Sequence, residues 1–106
     1  MQQPTTLRPK RQHPRIQAGF LVKMQLGARE VLARARDLSM VGLYLDGPLS
    51  RLPSEIDVRI PLPGQDREVL TTCRVERTNG DGVALSFSKI DWNDLLLMAR
   101  YLSPRL

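Results

Sequence analysis

From Ile16 to Leu26 every even position is apolar or small (Ile16, Ala18, Phe20, Val22, Met24, Leu26), with mostly polar or small residues between them. Period two over eleven residues specifies a strand with one buried face, since successive side chains of a strand point to opposite sides. The same period recurs along the chain. Val31, Ala33 and Ala35 share a face within Arg29 to Arg36, Leu43 and Leu45 lie in a short strand, and Ile56, Val58, Ile60 and Leu62 follow. Val69, Thr71, Cys73 and Val75 make a fifth strand, and "NGDG" at 79–82 reads as a hairpin into Val83, Leu85 and Phe87.

The last segment changes period. Trp92, Leu95, Leu96, Ala99 and Leu102 fall at i, i+3, i+4, i+7 and i+10, with Asp91 as N-cap and Pro104 as a stop. Six strands that each bury one face need closure, because an open sheet leaves edges and half its core uncovered. The expectation is mainly β: a six-stranded antiparallel β-barrel with a C-terminal α-helix packed on it.

At 106 residues the chain is long enough for one modest core. Residues 1–14 are polar, basic and interrupted by Pro4, Pro9 and Pro14, so they carry too little apolar surface to fold alone. The division expected is a flexible N-terminal arm at 1–9 and a single barrel domain at 10–106. Charge divides similarly: residues 1–29 hold Arg8, Lys10, Arg11, Arg15, Lys23 and Arg29 and no acid, so the chain's net +5 leaves −1 for the remainder. A basic segment on a near-neutral body indicates an anionic partner, phosphates first.

Catalytic and metal chemistry find little support. His13 and Cys73 are each the sole residue of their kind, with no ligand spacing toward carboxylates, so no metal and no cofactor are expected. Cys73 is in phase with Val69, Thr71 and Val75 and reads as a buried apolar thiol. Ser39, His13 and Asp37 show no nucleophile-elbow context, and Asp91 and Asp94 sit where a helix start takes carboxylates. No enzyme activity is expected. A single cysteine, no signal-peptide pattern and no long apolar run give a cytoplasmic chain with no membrane span.

Two short patterns remain. Arg11 and Arg15 bracket "QHP", and Pro14 disfavours a helical His13, so the pair does not share a helical face. Fully extended, the four-residue step from one to the other spans about 13 Å, enough for two guanidinium forks to engage one mid-sized anion. Asp37, Ser39 and Gly42 in "DLSMVG" fall between the second and third strands. A carboxylate can accept from the N1 and N2 hydrogens of guanine and a hydroxyl can donate or accept, yet the same residue types suit an ordinary β-turn.

Taken in order, "RQHPR" before the first strand and "DLSMVG" after the second, in a six-stranded chain ending in a helix, resemble the PilZ domain family. "GVALSF" at 82–87 looks like that family's last barrel strand and "DWNDLLLMARYL" like its C-terminal helix, so the resemblance runs from about Lys10 to Leu102. It implies a bacterial receptor for cyclic di-GMP that signals in trans to a downstream protein, without naming the pathway, whether motility or biofilm. By motif matching, Arg11 and Arg15 would grip phosphates and guanine edges, Asp37 and Ser39 would hydrogen-bond a guanine, and Gly42 would keep the turn tight beneath it. Lys10, just before the first arginine, implies a stacked pair of ligands.

Two other readings compete: a small basic RNA-binding barrel, and a PilZ-like interaction module without ligand. The first explains the aromatics poorly, since Phe20 and Phe87 lie in phase with buried positions and Tyr44 alone is placed to be an exposed strand ring, which argues against nucleic acid. The second is disfavoured by the presence of both motifs.

Overall fold

In the computed structural model the alternating segments form a closed barrel; the residues described are 14–47, 49 and 51–106. The arm at 1–9, with Lys10 and Arg11, lies outside them. The strands are β1 (Arg15–Gln17), β2 (Leu21–Leu26), β3 (Arg29–Ser39), β4 (Gly42–Asp46), β5 (Glu55–Ile60), β6 (Val69–Asn79) and β7 (Gly82–Ile90), followed by helix α1 (Trp92–Leu102) and a short 3-10 turn (Ser103–Arg105). Antiparallel pairing runs β3–β2–β5–β6–β7–β4, and β4 pairs back onto β3 to close six strands; β1 is a seventh, continuing β2 along the same edge of β3.

The inward faces are the alternating sets expected from sequence. Val22, Met24, Ala35, Ile60 and Val69 are fully buried, as is Leu45. Closure therefore satisfies both demands at once, covering the apolar faces and leaving no long edge unpaired.

The first strand departs from expectation. It is broken at 18–20, where Gly19 adopts φ +82°, so the eleven-residue alternation is carried by two strands rather than one. The cause lies opposite. Gln17 pairs with Asp37 and Leu21 with Arg34, leaving three residues facing two. The extra residue is absorbed by a left-handed glycine while Ala18 and Gly19 still donate to the carbonyls of Arg36 and Ala35.

A second irregularity has larger consequences. Between β3 and β4 the register shifts from Ala35↔Leu45 to Asp37↔Tyr44, so Arg36 is an extra residue, a β-bulge. Before it, odd-numbered residues such as Ala33 and Ala35 point inward; after it, Leu38 does. Asp37 and Ser39 are thereby rotated to the outer face.

Helix α1 caps one end of the barrel. Asp91 is the N-cap, accepting from Asn93 N at 3.1 Å, as the sequence suggested. Asp91→Ala is expected to lower stability by about 1 kcal/mol, read from urea unfolding. The buried face, however, is Asp94, Met98, Tyr101 and Leu102, and Trp92 is 67 % exposed. The helix begins directly after β7, so its first residue overhangs the rim while the next turns swing Met98 and Tyr101 over the barrel mouth. Tyr101 meets Phe20 edge-to-face, with ring centroids 6.3 Å apart. Asp94 does more than complement the helix dipole: it is buried and forms an ion pair with Arg67.

Cys73 is fully buried in the barrel, and burial pushes its thiol pKa up from the ordinary thiol range to about 12. A thiol with a raised folded-state pKa contributes stability that is fully present below pH 9 and is lost as pH rises from about 9 toward 12, because the unfolded chain ionises first. Wild type should therefore lose stability more steeply with pH over that window than Cys73→Ala, by up to about 1.4 kcal/mol per pH unit. Urea midpoints of the two proteins between pH 8 and 10.5 check this.

Candidate functional site

The antiparallel register of β1 on β3 brings the two sequence patterns together. Arg15 lies opposite Ser39, Ile16 opposite Leu38 and Gln17 opposite Asp37. Because Leu38 is buried, its neighbours Asp37 and Ser39 share the outer face with Arg15. Arg15 Nη1 stands 3.5 Å from Asp37 Oδ2, with the side chains 34 % and 20 % exposed. An ion pair this open to solvent contributes about 0–1 kcal/mol, so it can be exchanged for a ligand at little cost.

Asp37 and Ser39 are strand residues, and the reversal itself is only Met40 and Val41. Ser39 Oγ accepts from Val41 N at 3.1 Å and donates to the Gly42 carbonyl at 3.3 Å. Its proton is thus committed to the turn, and one acceptor lone pair remains for another partner. Gly42 is required by the neighbouring strand: a Cβ there would stand 2.1 Å from the Leu85 carbonyl oxygen and 3.0 Å from Ser86 Cα. The glycine lets β4 and β7 approach and leaves the outer face flat.

These residues line a cavity of about 170 Å³. Arg15, Asp37 and Ser39 form one side with Tyr44 next to Asp37, Gly42, Ala84 and Ser86 a floor of small residues, and Arg77 the far side. A drug-sized ligand needs about 300 Å³ or more, so this surface accommodates one base of a larger ligand. A larger groove of about 590 Å³ lies on the outside of β2, β5 and β6. Of its cations, Lys23 and Arg59 are paired with Glu68 and Glu30 and Lys89 has no ion pair among the described residues, and neither sequence pattern contributes to the groove.

Tyr44 is not the exposed stacking ring the sequence suggested. It is 8 % exposed, its hydroxyl lies 2.9 Å from Asn79 Oδ1, and the Arg36 guanidinium covers it 4.4 Å from the ring centroid. Arg36 is in turn held by Asp46 at 2.6 Å. The bulge residue that turns Asp37 outward therefore also fastens the ring forming the wall beside it. Ala84, Ser86 and Arg77 were not singled out from sequence; they come from two strands, and nothing in their local spacing connects them to Asp37.

Arg15, Asp37, Ser39 and Gly42 thus converge on one surface, while Lys10 and Arg11 lie outside the described residues. Comparison with known proteins bears on what this surface is. The family described as "PilZ domain" matches residues 9–103. The chain belongs to the PilZ domain family. Among solved structures, this PilZ chain is similar to the Bacillus subtilis inhibitor of motility MotI/DgrA, at TM-score 0.77 and 21 % identity, covering 92 % of this chain and 51 % of that one. It is also similar to the PlzA protein of Borreliella burgdorferi solved in complex with c-di-GMP, at TM-score 0.63 and 14 % identity over 87 % of this chain and 40 % of that one. An uncharacterised Legionella protein matches at TM-score 0.56 and 14 % identity, over 86 % of this PilZ chain and 96 % of its own. The chain spans about half of the first neighbour and two-fifths of the second. No curated protein sequence matches it.

The PilZ barrel is the scaffold expected from sequence. Among the described residues no cluster of three or more His, Cys, Asp or Glu is arranged to hold a metal, and no helix is long and apolar enough to cross a membrane.

Proposed function

We propose that this PilZ chain is a non-catalytic, cytoplasmic receptor for cyclic di-GMP that signals to a partner protein in trans. The observation that carries the reading is the convergence of Arg15, Asp37 and Ser39 on one outer surface above a floor of Gly42, Ala84 and Ser86. A guanidinium fork suits phosphate oxygens and the O6 and N7 edge of guanine, while a carboxylate accepts from N1 and N2. A floor without bulky side chains lets a flat base lie against the strands. The neighbour bound to c-di-GMP supports the same ligand class.

In this reading Lys10 and Arg11 complete the site from the N-terminal side, adding the second fork and a further positive charge for a stacked pair of ligands. Fixing the side chains that grip the ligand costs conformational entropy, which several charge-assisted hydrogen bonds formed together can offset. The rearranged segment and barrel surface then present the face that the partner recognises. Motility is the first output to assay, since one structural neighbour is an inhibitor of motility.

Titration calorimetry with cyclic di-GMP tests the reading. Saturable binding with guanine preferred over the adenine dinucleotide is expected, and two ligands per chain if Lys10 acts as proposed. A flat titration at high micromolar ligand would remove the receptor assignment. The RNA-binding reading rests on the basic charge and loses its candidate strand ring, since Tyr44 lies under Arg36.

A further inference from the structure

Arg77 belongs to neither sequence pattern, yet it lines the same cavity as Arg15 and Asp37 from the opposite side. One cross-strand row on the outer face connects them: Arg77 of β6 is opposite Ala84 of β7, Ala84 opposite Tyr44 of β4, and Tyr44 opposite Asp37 of β3. Its place in that row depends on a register shift in β6. Val75 pairs with Leu85 and Arg77 with Ala84, so Glu76 is an extra residue and Arg77 falls beside the outward Ala84. Three strand spacings separate the ends of the row, about 14 Å between Cα positions, which an aspartate, a purine and an arginine together bridge.

Several arginines of the barrel are engaged, whereas Arg74, opposite Ser86 on β7, is like Arg77 without an ion-pair partner among the described residues. Arg15 pairs with Asp37, Arg36 with Asp46, Arg59 with Glu30 and Arg67 with Asp94. Among the described residues Arg77 has no ion-pair partner, no side-chain hydrogen bond and no aromatic ring beneath it. It is a free cation at the rim of a cavity whose other polar wall is a carboxylate.

We propose that Arg77 is a base-specificity residue of the site. Its guanidinium donates to O6 and N7 of the guanine whose N1 and N2 hydrogens Asp37 accepts. The two edges adjoin on one base, so groups on opposite sides of the floor can read both. Adenine offers N7 but places an amino donor at the position of O6, where it opposes the arginine fork. A lysine at 77 keeps the charge without the paired donors.

This inference rests on the cyclic di-GMP reading and is separable from it. Binding of cyclic di-GMP and cyclic di-AMP is measured by calorimetry for wild type, Arg77→Ala and Arg77→Lys, with thermal unfolding to show that all three fold. Arg77→Ala should bind cyclic di-GMP about tenfold more weakly or worse and lose most of its preference over cyclic di-AMP. Arg77→Lys should recover part of the affinity, in a salt-sensitive manner, without the preference. If wild type binds while Arg77→Ala keeps both affinity and preference, Arg77 has no part in recognition. Equal weakening for both ligands would overturn base reading in favour of charge alone. A wild type that binds neither removes the receptor reading, and this one with it.

Discussion

Arg15→Ala is expected to weaken cyclic di-GMP binding by about a hundredfold or more while leaving the barrel folded. Arg15 faces the cavity from β1, paired in register with Ser39 and in ionic contact with Asp37. Two charge-assisted hydrogen bonds to the ligand at roughly 1.5–3 kcal/mol each would be lost, against an exposed ion pair worth about 0–1 kcal/mol in the free protein. Most of the effect should therefore appear in affinity and little in stability. Calorimetry on Arg15→Ala and Asp37→Ala, with the double variant, measures both the losses and their coupling. An Arg15→Ala protein binding as wild type does would place the ligand elsewhere on the barrel. Arg11→Ala carries the same expectation through the other half of the "RQHPR" pattern.

Gly42→Ala should be the most damaging small substitution on this face. The added methyl would stand 2.1 Å from the Leu85 carbonyl oxygen, which belongs to the backbone of β7 and cannot rotate away. Strands β4 and β7 pair from Gly42↔Ser86 to Asp46↔Gly82, so relief requires separating them at the end that forms the floor of the cavity. The expected loss is about 3 kcal/mol, since overpacking in a rigid setting costs about 1–3 kcal/mol and occasionally more. For a domain of this size that lowers the melting midpoint by more than about 10 °C. Ligand binding should fall as well, because the floor is displaced. If the variant keeps its stability and loses only binding, the glycine serves the ligand and not the strand contact.

Much of the fold was legible because a buried strand face imposes period two. Val22, Met24, Ile56, Val58 and Val69 were placed by that rule and are in the core. The helix was legible as a helix but not in its orientation. Leucines at 95 and 96 outweigh Met98 and Tyr101 on a hydropathy count, whereas packing on a barrel mouth selects the pair that reaches into it. Asp94 entered the buried face because Arg67, remote in sequence, compensates its charge.

The site divides in the same way. The chemistry of Arg15, Asp37 and Ser39, and the small residue at Gly42, could be read from residue type and order. Alternation continued through Ala33 and Ala35 would have pointed Asp37 and Ser39 into the core. What prevents this is one extra residue, Arg36, a bulge defined only by pairing with β4. The same holds for Tyr44, whose ring is removed from solvent by that bulge residue, and for Arg77, set beside the cavity by the extra Glu76 in β6.

The sequence by itself determined six apolar strand faces, a capped helix and two short polar patterns, because periodicity and residue chemistry are local properties. Tertiary structure decided which way those patterns face and which strands they meet. Register and bulges are relations between strands distant along the chain, and a shift of one residue exchanges the inside of a barrel for its outside.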